Sequence, residues 1–205
     1  DAASPQALRG HRTQTVGMSV PTANPSDVTA PALRRALISG ARRVIAARDE
    51  LNRINVFPVA DGDTGSNLAS TLGSVLQGAL SRRSRHIGEL LVGIGNDAID
   101  GARGNSGAIM AQFLVGLAEQ ARNAPVLDAA NLALAVRRGA DSARAALAQP
   151  VEGTILSVIS AFADALDEAA RQPQGDPKGG FARALQRAQT ALADTPKQMA
   201  LLQKA

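Results

Sequence analysis

Apolar residues recur at intervals of three and four along most of this chain, and almost none of them is aromatic. That interval puts side chains on one face of a helix. With no Trp, no Tyr and only four Phe, the core has to be built from small and branched side chains, chiefly Ala and Leu. Such side chains let helices pack closely, and nothing in the chain alternates as a strand would. The pattern predicts an all-α domain.

Eight helices are expected. The first starts at Thr29-Ala30-Pro31, with Thr as cap and Pro in the first turn, and runs to about Arg53 on Leu33, Leu37, Ala41, Val44 and Leu51. The second carries Leu68 to Leu80, and the third Ile87 to Ala98. A fourth bears Ile109, Phe113, Leu114 and Leu117 and is closed by Asn123-Ala124-Pro125. Asp128 opens the fifth, and the sixth follows Gln149-Pro150-Val151-Glu152-Gly153. A Gly/Pro-rich loop from Gln172 to Gly180 precedes the seventh, which carries Phe181, Leu185, Ala188 and Leu192; Thr195-Pro196 caps a short eighth. Ahead of all this, residues 1–29 hold Pro5, Pro21 and Pro25 among small polar residues and are expected to be a disordered extension, leaving 30–205 as the domain.

The length of 205 residues suffices for one substantial core or two small ones. No Cys is present, which excludes disulfides and thiolate metal sites, and His11 and His86 are too few for a multi-histidine centre. The net charge of +4 comes mostly from scattered Arg, since the only lysines are Lys178, Lys197 and Lys204. Without aromatic residues between the basic ones, a nucleic-acid surface is not expected. No apolar run reaches the ~18 residues of a membrane span, and the first residues lack a signal peptide's apolar segment. The default expectation is a cytoplasmic protein.

Chemistry concentrates in three glycine-bearing stretches. The first is Asn55-Val56-Phe57-Pro58-Val59-Ala60-Asp61-Gly62-Asp63-Thr64-Gly65-Ser66-Asn67. Two carboxylates two residues apart do not share a helix face, but they converge in a turn, and glycines permit one. Placed just before a helix start, such a pair suits Mg²⁺ held against phosphate. The plain alternative is a solvated Asp-Gly turn. A calcium loop fails, because its fifth position would be Gly65 and its twelfth Leu72.

The second stretch is Gly101-Ala102-Arg103-Gly104-Asn105-Ser106-Gly107, either an anion cradle or a helix corner with Ser106 as ordinary N-cap. Arg103 either offsets phosphate charge or pairs with an acid such as Asp100. Neither a Walker loop nor the protein-kinase set is present. The third, Glu152-Gly153-Thr154-Ile155-Leu156, reads alone as a helix start. Three such starts in one all-α domain suggest a common anion pocket at one end of a bundle.

Together, in this order, the three stretches resemble the nucleotide-binding domain shared by dihydroxyacetone kinase L-subunits and fatty acid kinase large subunits, with the long forms of the first two closer to the fatty acid kinase branch. The resemblance covers about residues 30–205. It implies an eight-helix antiparallel, barrel-like bundle with ATP and two Mg²⁺ at one end. Carried over, Asp61 and Asp63 become metal ligands and the catalytic pair. Asn55 stands near where a further ligand comes from, with different spacing. Thr64, Gly65, Ser66, Asn67, Gly104, Asn105, Ser106, Gly107 and Thr154 become nucleotide contacts. Ala60 replaces the motif's usual proline.

Fatty acid kinase large subunits continue well beyond this length. The chain therefore looks like an isolated domain or a truncated product, although its length also suits a stand-alone dihydroxyacetone kinase L-subunit. The implied activity is phosphoryl transfer from ATP to a fatty acid carboxylate presented by a separate acyl-binding protein. That acceptor is already ionised and needs no general base. The alternatives are glycerone phosphorylation and a non-catalytic ATP-binding regulatory module. A homodimer is compatible with the sequence.

Overall fold

The computed structural model describes residues 24–55, 61–172 and 177–198. All-α is the outcome: α1 (Ala30–Ala46), α2 (Arg48–Arg53), α3 (Thr64–Ser81), α4 (Ile87–Gly101), α5 (Gly104–Ala121), α6 (Ala129–Ala145), α7 (Ile155–Ala170) and α8 (Pro177–Gln198). The only β feature among the described residues is a bridge between Val28 and Leu127, closed by N–H···O bonds of 2.7 and 3.0 Å. Val28 also packs on the core, so ordered contacts begin ahead of the expected boundary at residue 29.

Eight helices were expected and eight are found among the described residues, but two boundaries differ in ways that cancel. The first expected helix is two. At Ala47 the N–H is shared between the carbonyls of Arg43 and Val44, which tightens the turn, and α2 starts at the next residue. No Gly or Pro announces that break. At the other end, Thr195-Pro196 does not open a new helix, and α8 continues to Gln198. Pro196 has no N–H for the carbonyl of Leu192, and the Thr195 hydroxyl donates to that carbonyl instead, at 2.8 Å. Thr29 holds the N-cap position of α1 but makes no cap bond, whereas Asp128 caps α6 by accepting from Asn131 N–H at 2.7 Å.

Neighbouring helices pack in the order α1, α3, α4, α5, α6, α7, α8, with α2 laid against α3. Central α4 is the most buried, through Leu90, Leu91, Ile94 and Ala98. Ala111, Leu114, Ala133, Val136, Ala163, Leu166 and Ala184 carry the core outward to α8. The small residues do what their size allows. Gly116 of α5 lies against the carbonyl of Arg138, and Gly139 of α6 against that of Phe113, so a methyl group at either would force the axes apart. A smaller cluster of Ile109, Ala143 and Leu156, flanked by Phe113, Leu147, Ile155 and Ile159, joins α5, α6 and α7 near one end.

Ion pairs fasten adjacent helices. Arg82, in the α3–α4 turn, meets Asp97 through two nitrogens. Arg137 of α6 reaches Asp164 and Asp167 of α7; burial works against its charge, but these bonds outweigh it and raise the guanidinium's pKa further. No helix among the described residues is long and apolar enough to cross a membrane.

Candidate functional site

The starts of α3, α5 and α7 lie at one end of the bundle. Ser106, in the first turn of α5, donates from Oγ to the carbonyl of Thr64, the first residue of α3 (3.4 Å). Ile109 of α5 and Leu156 of α7 share one buried cluster with Ala143 of α6. Positive φ occurs at three residues among those described, Gly62 (67°), Gly104 (55°) and Gly153 (80°), one in each glycine-bearing stretch. L side chains disfavour that backbone state, so each helix start is shaped by a turn that calls for glycine.

At the first start the chain leaves α2 at Arg53 and is described again from Asp61; Phe57, Pro58 and Ala60 of the motif lie outside the described residues. Asp61 and Asp63 are exposed. Asp63 occupies the N-cap position of α3, yet its carboxylate caps no N–H. Asn55 donates from Nδ2 to Asp61 (3.3 Å) and accepts from the Thr64 hydroxyl, so it braces both sides of the turn. Ser66 turns the other way: its N–H donates to Asn52 Oδ1 and its Oγ accepts from Asn52 Nδ2, both at 3.0 Å. Gly65 is buried under the carbonyl of Arg48, which seats α2 on α3.

At the second start Arg103 is the N-cap and makes no side-chain cap bond. Ser106 is not the cap; it lies inside the helix and reaches α3. Arg103 donates from Nη1 to the carbonyl of Ala102 (2.7 Å) and does not bond Asp100. Gly104 has two reasons to be glycine. Its φ is positive, and a β-carbon there would sit on the side-chain amide of Asn67. Buried Thr71 ties the two loops together, donating to Asn67 O (3.0 Å) and Gly101 O (3.4 Å), and Ser70 also donates to Gly101 O (3.1 Å). Asn67, Gly104, Ser106 and Gly107 are thus brought beside Thr64, with exposed Asn105 between them.

The third start is closed on itself. Thr154 accepts from Leu156 N–H (3.3 Å) and donates to Val151 O (2.8 Å). Ser157 accepts from Gly153 N–H (2.9 Å) and donates to the Glu152 carboxylate (2.5 Å), which also takes Arg144 at 2.6 Å. The Ser157 hydroxyl first, and then the guanidinium, hold the Glu152 carboxyl below the usual carboxylate range.

The DAK2 domain family matches residues 58–205, which take in all but the upstream end of the three stretches. The chain belongs to the DAK2-domain family. A similar uncharacterized protein of Staphylococcus saprophyticus is 34% identical over 168 residues, covering 82% of this chain and 30% of that protein. Uncharacterized proteins of Staphylococcus haemolyticus and Staphylococcus aureus are each 33% identical over the same length. The chain spans about a third of the length of the curated relatives it matches. A DAK2 domain is a kinase-type nucleotide-binding module, and membership gives the chain that character.

The donor set of this DAK2 domain suits Mg²⁺ carried by a phosphate ligand. No group of three His, Cys, Asp or Glu that could hold a metal occurs among the described residues, and the start of α3 offers a cation two carboxylates at most. Mg²⁺ is held in that way, by one or two carboxylates plus phosphate oxygens. Asp61 and Asp63 are the carboxylates available. Sequence reading missed Asn52 and Thr71. Each is a polar residue at an unremarkable helical position whose partner is distant in sequence, and no local pattern reveals such a pairing.

Proposed function

We propose that this domain binds ATP and Mg²⁺ where α3 and α5 start and transfers the γ-phosphoryl group to a fatty acid carboxylate presented by a separate acyl-binding protein. The observation that carries the reading is the meeting of the α3 and α5 starts through Ser106 and Thr64, with the carboxylate of the α3 N-cap residue, Asp63, capping no N–H. The first N–H groups of a helix have no intrahelical acceptor and favour an anion. An aspartate in the N-cap position normally contributes about 1 kcal/mol through its cap bond. Asp63 forgoes it, which leaves its carboxylate for a cation.

In this reading Asp61 and Asp63 hold the metal, and Asn55 keeps Asp61 and Thr64 in register. Thr64, Gly65, Asn67, Gly104, Asn105, Ser106 and Gly107 line the phosphates, with the Asn67 amide against the Gly104 backbone. Mg²⁺ would neutralise phosphate charge as the transferred group moves. What the chain contributes is alignment and fixed N–H dipoles directed at that charge. The Thr154 hydroxyl donates to Val151 and caps α7 as well, so this reading groups it with α7. The fatty acid acceptor and its carrier protein rest on the likeness of the first two motifs to the fatty acid kinase branch.

Calorimetry with ATP, with and without Mg²⁺, tests the site; equal affinity in both conditions would remove the metal. Incubation with labelled ATP and either a fatty-acid-loaded carrier or dihydroxyacetone with its binding subunit tests the acceptor. Acyl phosphate is the expected product. Transfer only to dihydroxyacetone would assign the chain to the other branch, and binding without transfer to any acceptor would make it a regulatory module.

A further inference from the structure

We infer that Asn52 is the positioning residue of the metal-holding turn, an inference that rests on the metal–nucleotide reading above. Both ends of its side-chain amide are spent on Ser66: Oδ1 takes the Ser66 N–H and Nδ2 gives to the Ser66 hydroxyl, each at 3.0 Å. Ser66 is the third residue of α3, so Asn52 supplies the side-chain cap that Asp63 does not. The cap comes from a different helix, fourteen residues upstream, and it fixes the distance between the segment leaving α2 and the segment opening α3.

Everything proposed to hold the metal lies between these two anchors. Inside the Asn52–Ser66 rung sits a second one, in which Asn55 bonds Asp61 and Thr64. Gly65 under the Arg48 carbonyl closes the same junction from the backbone side. The two rungs brace the turn without any cation. An amide is suited to that work. It is neutral, and it can accept from an N–H and donate to a hydroxyl at once. An aspartate at this position could accept from both groups of Ser66 but would add a third negative charge. A leucine could do neither. Ser66 in turn is a bracket for the turn, and Thr64 and Gly65 are left as the residues that α3 offers to phosphate.

The test uses the whole 205-residue chain and the variants Asn52→Leu, Asn52→Asp and Ser66→Ala. Amide hydrogen exchange at Ser66, measured without ligand, reads the rung itself. Calorimetry with ATP across a Mg²⁺ series reads its consequence. In Asn52→Leu, Ser66 exchange should accelerate at least about tenfold, and the Mg²⁺ needed for half-maximal ATP binding should rise roughly ten- to a hundredfold, as for other outer-sphere partners. ATP affinity at saturating Mg²⁺ should return close to that of the unmodified chain. Asn52→Asp should keep Ser66 protected and lie nearer the unmodified chain, and Ser66→Ala should fall between. An unchanged Mg²⁺ dependence in Asn52→Leu would overturn the inference while leaving the site standing. So would equal losses at low and saturating Mg²⁺, which mark a purely structural role. Absence of Mg²⁺-dependent ATP binding in the unmodified chain would remove the site and the inference together.

Discussion

The starts of α3 and α5 and the start of α7 look alike on paper, yet they are finished differently. All three carry a glycine at positive φ followed by hydroxyl or amide residues. At α7 the hydroxyls of Thr154 and Ser157 each donate and accept within the chain, and Glu152 is tied to Arg144. At α3 the N-cap carboxylate of Asp63 caps nothing, and at α5 the N-cap is Arg103, whose guanidinium has no acceptor to offer. The starts of α4 and α6 side with α7, capped by His86 and Asp128. A glycine-shaped helix start is therefore not enough to mark an anion site. Thr29 likewise leaves α1 uncapped, so what distinguishes the α3–α5 pair is that its two starts meet, through Ser106 and Thr64, beside the N-cap carboxylate of Asp63.

The largest effect expected from breaking this comparison is at the carboxylates. Asp61→Asn or Asp63→Asn keeps shape and turn-forming ability while halving the pair's charge. The ligand-free fold should be unchanged or slightly more stable, because both side chains are exposed and the Asp63 carboxylate caps no N–H. ATP·Mg²⁺ affinity should fall more than about a hundredfold, beyond the loss typical of outer-sphere residues. Melting curves with and without ATP·Mg²⁺ read both quantities. A ligand-induced shift as large as in the unmodified domain would mean that the open starts hold no metal.

The fold was legible because it depends on periodicity. Leu68 to Leu80, Ile87 to Ala98 and Leu156 to Leu166 each present one apolar face, and each is a helix that packs on the core. The break at Ala47 was not legible, because it arises from seating α2 against Gly65 and leaves the local apolar pattern untouched. Pro196 misled for the opposite reason, since a local stop signal was offset by the neighbouring Thr195 hydroxyl. Within the site, motif spacing placed Asp61, Asp63, Gly104 and Ser106 at helix starts. It did not separate Thr154, whose hydroxyl both donates and accepts within its own helix start, from Thr64, whose hydroxyl donates across nine residues to Asn55.

Glycine substitutions compare the two kinds of start directly. Gly104→Ala and Gly153→Ala both force a β-carbon into a left-handed backbone state, at roughly 1–2 kcal/mol each. Gly104→Ala should cost more, because the new carbon displaces the Asn67 amide. Only Gly104→Ala should weaken ATP·Mg²⁺ binding once stability is matched by lowering the temperature. Equal binding losses in both would show that α7 belongs to the site. Thr154→Ala sharpens the same point, with about 1 kcal/mol of stability lost with the cap and ATP·Mg²⁺ affinity within about twofold of the unmodified domain. Chemical denaturation and calorimetry on one preparation separate the two.

The smallest effect belongs to Glu152, and it depends on pH. Its carboxyl is held below the usual range by the Ser157 hydroxyl and the Arg144 guanidinium. The folded form therefore binds a proton less readily than the unfolded chain, whose glutamate titrates near ~4.3. The stability contributed by the clasp is fully present above that value. It is lost as the pH falls through the lower, folded pKa. Because the Glu152 side chain is 57% exposed, screening keeps the contribution below about 1 kcal/mol, and added salt should reduce it further. Glu152→Gln should be slightly less stable than the unmodified domain at pH 7, and the difference should shrink as the pH is lowered from about 5 toward 3. ATP·Mg²⁺ affinity at pH 7 should not change, since the clasp holds α7 and touches neither open start. A large loss of affinity in Glu152→Gln would mean that the closed start is coupled to the open ones, and that the self-sufficiency of its hydrogen bonds does not isolate it from the nucleotide.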